Sequence, residues 1–205
     1  MSGRLHAVIF DIDGTLLDSN GVDAELYIAA VEKVLGRVRI RSHWSEYEHV
    51  TDSGILAEML LDNGIRGDGQ LIAAVKSTFI ESLRRHLDKY GRFSEIPGAR
   101  DFVCEMGGAT DRACAYATGC WSSSALMKLE SAGFPIRGVP LSSADDSHER
   151  RTIMANALRQ LGRYESATYY GDGVWDREAA LSLGWSFVPV GAELGGIARF
   201  DIKGA

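Results

Sequence analysis

A chain of 205 residues is long enough for one good hydrophobic core, or for a main domain carrying a smaller insert. Its composition, 45% hydrophobic and 24% charged, is that of an ordinary globular protein and argues against disorder. The net charge of −6 comes from acids scattered along the chain, with no basic cluster to follow a phosphate backbone, so nucleic acid is not an expected partner.

Cys104, Cys114 and Cys120 form neither an even disulfide set nor a CxxC zinc pattern, which fits a reducing compartment. The opening MSGRLHAVIF carries an apolar stretch too short for a signal peptide, and no window approaches the ~18 apolar residues of a membrane span. The expectation is a cytoplasmic protein with no membrane partner.

In chain order, residues 7–10 (AVIF) form a short continuous apolar run, the pattern of a strand buried on both faces. Asp11 and Asp13 follow at once, and Gly14 with Thr15 breaks the strand into a turn, so two acids stand at a strand's carboxyl end. Residues 22–35 then show helical spacing through Leu26, Ala30 and Val34, stopped by Gly36. A helical stretch is expected over residues 42–50. Another is expected after Thr51 or Asp52, carrying Ile55, Met59 and Leu60, and a longer one runs through Ile72, Val75, Phe79, Leu83 and Tyr90 to Gly91. Residues 19–92 thus read as several helices without a strand.

Beyond Ile96 the pattern alternates. Residues 99–106 predict a short helix, 112–117 a buried strand ending at Thr118 and Gly119, and 122–132 a helix through Leu126, Leu129 and Ala132. Residues 138–141 predict a weak strand, 153–161 a helix, 167–170 a strand ending in GDGVWD, and 187–190 a last strand. Strands alternating with helices of this length predict an α/β fold, a Rossmann-like, mostly parallel sheet. The helical block reads as an inserted α-helical cap over 19–92, leaving 1–18 and 93–205 as the core.

In a parallel sheet the ends carrying Asp11 and Asp13, Thr118 and Gly119, and Asp172 and Asp176 lie along one edge and share one crevice. Carboxylates crowded there repel unless a cation neutralises them. Hard oxygen ligands suit magnesium, which keeps waters and completes its shell with phosphate oxygens. The crevice therefore reads as a site for a small phosphorylated metabolite.

The order DIDGT, a threonine closing a second strand, a basic residue opening a later helix, and GDGVWD resembles the haloacid dehalogenase superfamily, in its members with an α-helical cap after the first motif. The resemblance implies that Asp11 is a nucleophile forming an aspartyl-phosphate, and that Asp13 protonates the leaving oxygen and then activates water. It further implies that Thr118 and the Gly119 N–H hold phosphoryl oxygens, and that Asp172 and Asp176 hold Mg²⁺ beside Asp11 and the Asp13 carbonyl. Gly14 and Thr15 are counted with the substrate-binding residues.

The family's third motif is most often a lysine, and no lysine lies between Lys128 and Lys203. Arg150, just ahead of Ile153 and Met154, is the preferred substitute, Arg151 the close alternative, and Lys128 a remote one because it sits within a helix. In the cap, Thr51 and Asp52 are either an ordinary helix cap or, if the cap closes over the core, residues that touch substrate. Trp121 and Trp175 follow motifs and either wall the pocket or pack in the core. The implied activity is a Mg²⁺-dependent phosphatase, with a phosphomutase or a catalytically silent phosphate-binding regulatory module as the alternatives.

Overall fold

The computed structural model describes residues 5–201. Five parallel strands, β1 (His6–Phe10), β2 (Arg112–Ala117), β3 (Leu141–Ser142), β4 (Ser166–Gly171) and β5 (Ser186–Pro189), form one sheet in the order β3-β2-β1-β4-β5. The chain steps outward from β1 in one direction to β2 and β3, and in the other to β4 and β5. This leaves a topological switch at the carboxyl end of β1, where open α/β sheets place their ligands.

Both faces of the sheet are covered, which is why β1 is a continuous apolar run. Val8 and Phe10 pack with Phe102, Val103, Ala125 and Leu129 from helices α4 (Ala99–Gly108) and α5 (Ser122–Ser131). Ile9 points the other way, onto Ile153, Met154, Ala157, Ala179 and Ala180 of α6 (Arg150–Leu161) and α7 (Val174–Ser182). At roughly 1.5–3 kcal/mol for each large apolar side chain removed from water, these two layers are the main stabilising term of the core.

Between β1 and α4 run three helices, α1 (Asn20–Leu35), α2 (Asp52–Asp62) and α3 (Gly69–Tyr90), with their own apolar cluster around Tyr27, Val31, Met59, Val75 and Phe79. The two chain passages joining this block to the sheet run side by side. Asp18 N–H donates to the Ser94 carbonyl (2.9 Å), and Ile96 N–H to the Leu16 carbonyl (2.8 Å).

Four local expectations need correction. Residues 42–50 hold only a short 3₁₀ turn at Trp44–Glu46, because Arg41 holds the segment against α2 through Glu58 (2.6 Å) and Asp62 (2.8 Å). The third strand lies at Leu141–Ser142 and not at 138–141, since Gly138 takes a left-handed turn. Helix α7, which begins inside the GDGVWD motif, fills the interval between the strands at 167–170 and 187–190, where no helix was expected. In α5 the inward face carries Ala125, Lys128 and Leu129, whereas Leu126 is 39% exposed.

Candidate active site

Asp11 stands one residue beyond β1, its N–H donating to the Tyr170 carbonyl of β4 (2.9 Å). Thr118 and Gly119 follow β2, and Asp172 follows β4, so the three neighbouring central strands deliver their polar ends to one place. Asp176 reaches the same place from the first turn of α7, its Oδ2 accepting the Gly173 N–H (3.2 Å). These groups border a pocket of about 210 Å³ that is closed from the other side by α1, the Trp44 turn and the start of α2.

Arg150, at the first turn of α6, lies against the carboxylates. Its Nη1 donates to Asp11 Oδ1 at 3.2 Å, Nη2 donates to the Val50 carbonyl at 3.0 Å, and Nε sits 3.4 Å from Asp176 Oδ1. The guanidinium fits because residue 119 is a glycine: a Cβ there would come within 2.6 Å of Arg150 Nη2 and 3.0 Å of the Val50 carbonyl. Arg151 points away, its side chain half exposed and paired with Glu149 at 2.9 Å. On the phosphatase activity that the sequence resemblance implies, Arg150→Ala is therefore expected to cut phosphate-ester turnover by a factor on the order of 10², while Arg151→Ala leaves it within about twofold. Parallel kinetics of the two variants check this, and a loss confined to Arg151→Ala would assign the role to the other arginine.

Three carboxylates, Asp11, Asp172 and Asp176, each offer an oxygen within 4.8 Å of the others. Burial raises the Asp11 carboxyl to about 7, with Arg150 working against the rise and Asp176 adding to it. Burial and the charge of Asp11 raise Asp172 to about 7, and burial raises Asp176 to about 6 against the pull of Arg150. The single guanidinium does not balance three acids, and Asp176 Oδ1 is buried without a hydrogen-bond donor. An all-oxygen set with excess negative charge and an orphaned inner oxygen fits a magnesium ion well and a thiophilic metal poorly.

A pH dependence follows from these shifts. An unfolded aspartate titrates near ~3.9, so between that value and about 7 the folded, metal-free chain binds more protons at these sites than the unfolded chain does. The stability these groups contribute is complete below pH ~4 and is lost as pH rises through about 7. Magnesium is expected to raise the thermal midpoint clearly at pH ~8 and hardly at pH ~5, where protons already occupy the site. A melting series with and without the ion checks this, and an equal gain at both pH values would contradict it.

Asp13 occupies a different environment from the one expected. Its carboxylate faces Lys128, whose Nζ donates to Oδ1 at 2.7 Å and Oδ2 at 2.6 Å and also to Asp23 Oδ1 at 2.6 Å. Ser19 Oγ and Cys120 Sγ donate to the same carboxylate. Burial works to raise Asp13, but the Lys128 ammonium and these donors overrule it and hold the carboxyl below its usual range. The same carboxylates keep Lys128 charged although it is fully buried. An ammonium thus fills the space among Asp13, Asp23 and Cys120, and no contribution of the Asp13 carboxylate to the group of Asp11, Asp172 and Asp176 is seen; a metal there would take its carbonyl.

Lys128, Asp23, Ser19 and Cys120 were missed as a cluster. The available signal was a lysine at the inward i, i+4 position from Ser124, beside Ala125 and Leu129, and it was masked by assigning the apolar face to Leu126.

One other expectation also changes. Gly14 and Thr15 do not line the pocket: they form the turn beneath it, Gly14 N–H donating to the Leu17 carbonyl (2.8 Å) and Thr15 N–H to the Ile12 carbonyl (3.3 Å). Gly14 has φ +72°, and a Cβ would lie 2.0 Å from Asp172 Oδ2, so glycine is required there for close approach. Thr51 caps α2 by accepting the Gly54 N–H (3.1 Å) and donates to the His148 carbonyl (2.9 Å). Asp52 accepts the Trp121 N–H (2.8 Å), and burial pushes its carboxyl well up. Both residues line the pocket while fastening the helical block to the sheet loops. Trp175 also lines it, and Trp121 is buried with Tyr27 and Phe79.

No protein-family model and no curated protein matches this sequence at a significant level. Solved structures do match by shape. A hydrolase from Pseudomonas syringae superposes with a TM-score of 0.71 at 18% identity, covering 96% of this chain and 87% of that one. CbbY from Rhodobacter sphaeroides, solved in complex with xylulose-(1,5)bisphosphate, gives 0.70 at 20% identity over 98% and 92%. A haloacid dehalogenase-like family hydrolase from Streptococcus pneumoniae gives 0.56 at 16% identity over 90% and 84%. The chain has the fold of these proteins, an α/β core in which a five-stranded parallel sheet carries helices on both faces.

Proposed function

We propose that this chain is a magnesium-dependent phosphatase of the haloacid dehalogenase superfamily, acting on a small phosphorylated metabolite, with residues 1–18 and 93–205 as core and 19–92 as cap. The observation that carries the reading is Asp11 at the end of the central strand, 3.2 Å from the Arg150 guanidinium and grouped with Asp172 and Asp176. The shared fold with CbbY, which binds a phosphorylated sugar, supports the same reading.

In this mechanism an Asp11 oxygen attacks phosphorus as the bond to the leaving oxygen breaks, and the phosphoryl group passes to the carboxylate. Asp13 delivers a proton to the leaving oxygen, then accepts one from the water that cleaves the aspartyl-phosphate. The donors around Asp13 favour its carboxylate, so the arrangement is set for the second half-reaction, in which a base is needed, and works against the first, for which Asp13 must enter protonated. Thr118 and the Gly119 N–H would orient phosphoryl oxygens, and Arg150 offsets their charge. Magnesium, held by Asp11, Asp172, Asp176 and the Asp13 carbonyl, would neutralise charge on the transferring group.

The test is hydrolysis of p-nitrophenyl phosphate, expected with magnesium and lost on chelation. Inorganic phosphate as product separates this reading from a phosphomutase, which returns the phosphoryl group to a sugar. Absence of turnover with every phosphate ester would instead leave a phosphate-binding regulatory module.

A further inference from the structure

The wall of the pocket facing away from Asp11 decides which alcohol can leave. It is supplied mainly by the helical block, with Asp23 and Tyr27 from α1, Trp44, and Asp52 at the start of α2, and Trp175 and Glu193 complete it. Among the described residues, six carboxyl side chains line the pocket, and Arg150 is the only lysine, arginine or histidine that does.

Neither nearby cation is free for a second anion. Arg150 holds Asp11 and the Val50 carbonyl through Nη1 and Nη2, with its Nε 3.4 Å from Asp176 Oδ1 but making no hydrogen bond, and Lys128 is shared between Asp13 and Asp23. At the amino end of α2, the N–H groups of Asp52, Gly54 and Ile55 are already engaged, and Ser53 does not line this pocket. Asp52 N–H donates to the Gly119 carbonyl (2.7 Å), Gly54 N–H to Thr51 Oγ1 (3.1 Å), and Ile55 N–H to the Thr51 carbonyl (2.8 Å). A leaving group bearing a carboxylate or second phosphate would lose its hydration here against a wall of carboxyl groups that presents no free cation to replace it. Hydroxyl or ammonium groups find carboxyl oxygens as acceptors instead, and the rings of Tyr27, Trp44 and Trp175 suit the intervening C–H surface or a cation.

Resting on the phosphatase reading above, we infer that the substrate is a phosphomonoester of an amino or polyhydroxy alcohol whose leaving group carries hydrogen-bond donors and no second anion.

The test measures affinity by calorimetry, with magnesium present, in the Asp11→Asn chain, which holds an ester without turning it over. Three esters of one size are compared: aminoethyl, hydroxyethyl and carboxymethyl phosphate. The first two are expected to bind on the order of tenfold more tightly than the third. Ala24→Lys, placing a cation on the same wall, is expected to abolish that preference by strengthening the carboxymethyl ester. Carboxymethyl phosphate binding as tightly as either of the others, or no binding by any, overturns the inference. Turnover of p-nitrophenyl phosphate by the unsubstituted chain reports on the phosphatase reading separately.

Discussion

Asp11→Asn is expected to lower p-nitrophenyl phosphate turnover by a factor of about 10⁴ or more while leaving the fold intact. The amide has nearly the shape of the carboxylate but offers no anionic oxygen for attack, so no acyl-phosphate forms. Stability responds in the opposite sense. Burial raises the Asp11 carboxyl to about 7, so at pH ~8 the metal-free chain carries a charge there that its surroundings disfavour. Replacing it by a neutral amide removes that cost, and the thermal midpoint without magnesium should hold or rise. Steady-state kinetics beside a melting curve reads both effects. Retained turnover would remove Asp11 from the mechanism, whereas a collapsed midpoint would make the loss of activity structural.

Lys128→Met should be the most damaging single change to stability, costing about 3–5 kcal/mol. Lys128 is fully buried, and its ammonium is within 2.7 Å of Asp13 and Asp23. Without it two buried carboxylates face each other with only neutral donors, and leaving a buried charge unpaired is far worse than removing the whole group. The double variant Lys128→Met with Asp23→Asn should therefore recover part of the loss, although it carries one more substitution. Denaturant unfolding of the two single variants and the double variant measures that coupling. A loss below about 1 kcal/mol for Lys128→Met, or strict additivity, would show that the ion triad does not hold the helical block to the sheet.

How much of this was legible in advance depended on the range of the interaction. The strand at residues 6–10 and its acids were readable because a strand buried on both faces must be continuously apolar and must end where charge begins. Arg150 was readable as a helix-opening base ahead of inward Ile153 and Met154, though only the packed loops show it reaching Asp11, with Gly119 leaving the room. The 3₁₀ turn at Trp44–Glu46 was not readable, because Arg41 and its partners on α2 override the local helical pattern. Gly14 and Thr15 were read as ligand contacts when their backbone groups are consumed by the turn that aims Asp13.

Sequence alone determined the alternation of strands and helices, the run of helices between the first strand and the rest of the sheet, and the delivery of Asp11, Thr118 and Asp172 to one sheet edge. Those follow from periodicity and from the geometry of parallel strands, which local residue order specifies. Only the tertiary structure decided that a lysine from α5, an aspartate from α1 and the acid two residues after Asp11 form one buried ion triad. Only it showed that Arg150 and Lys128 are already paired with carboxylates, so that the pocket presents no free cation to a second anion. Pairing between charges more than 100 residues apart depends on which faces meet, and no local pattern records that.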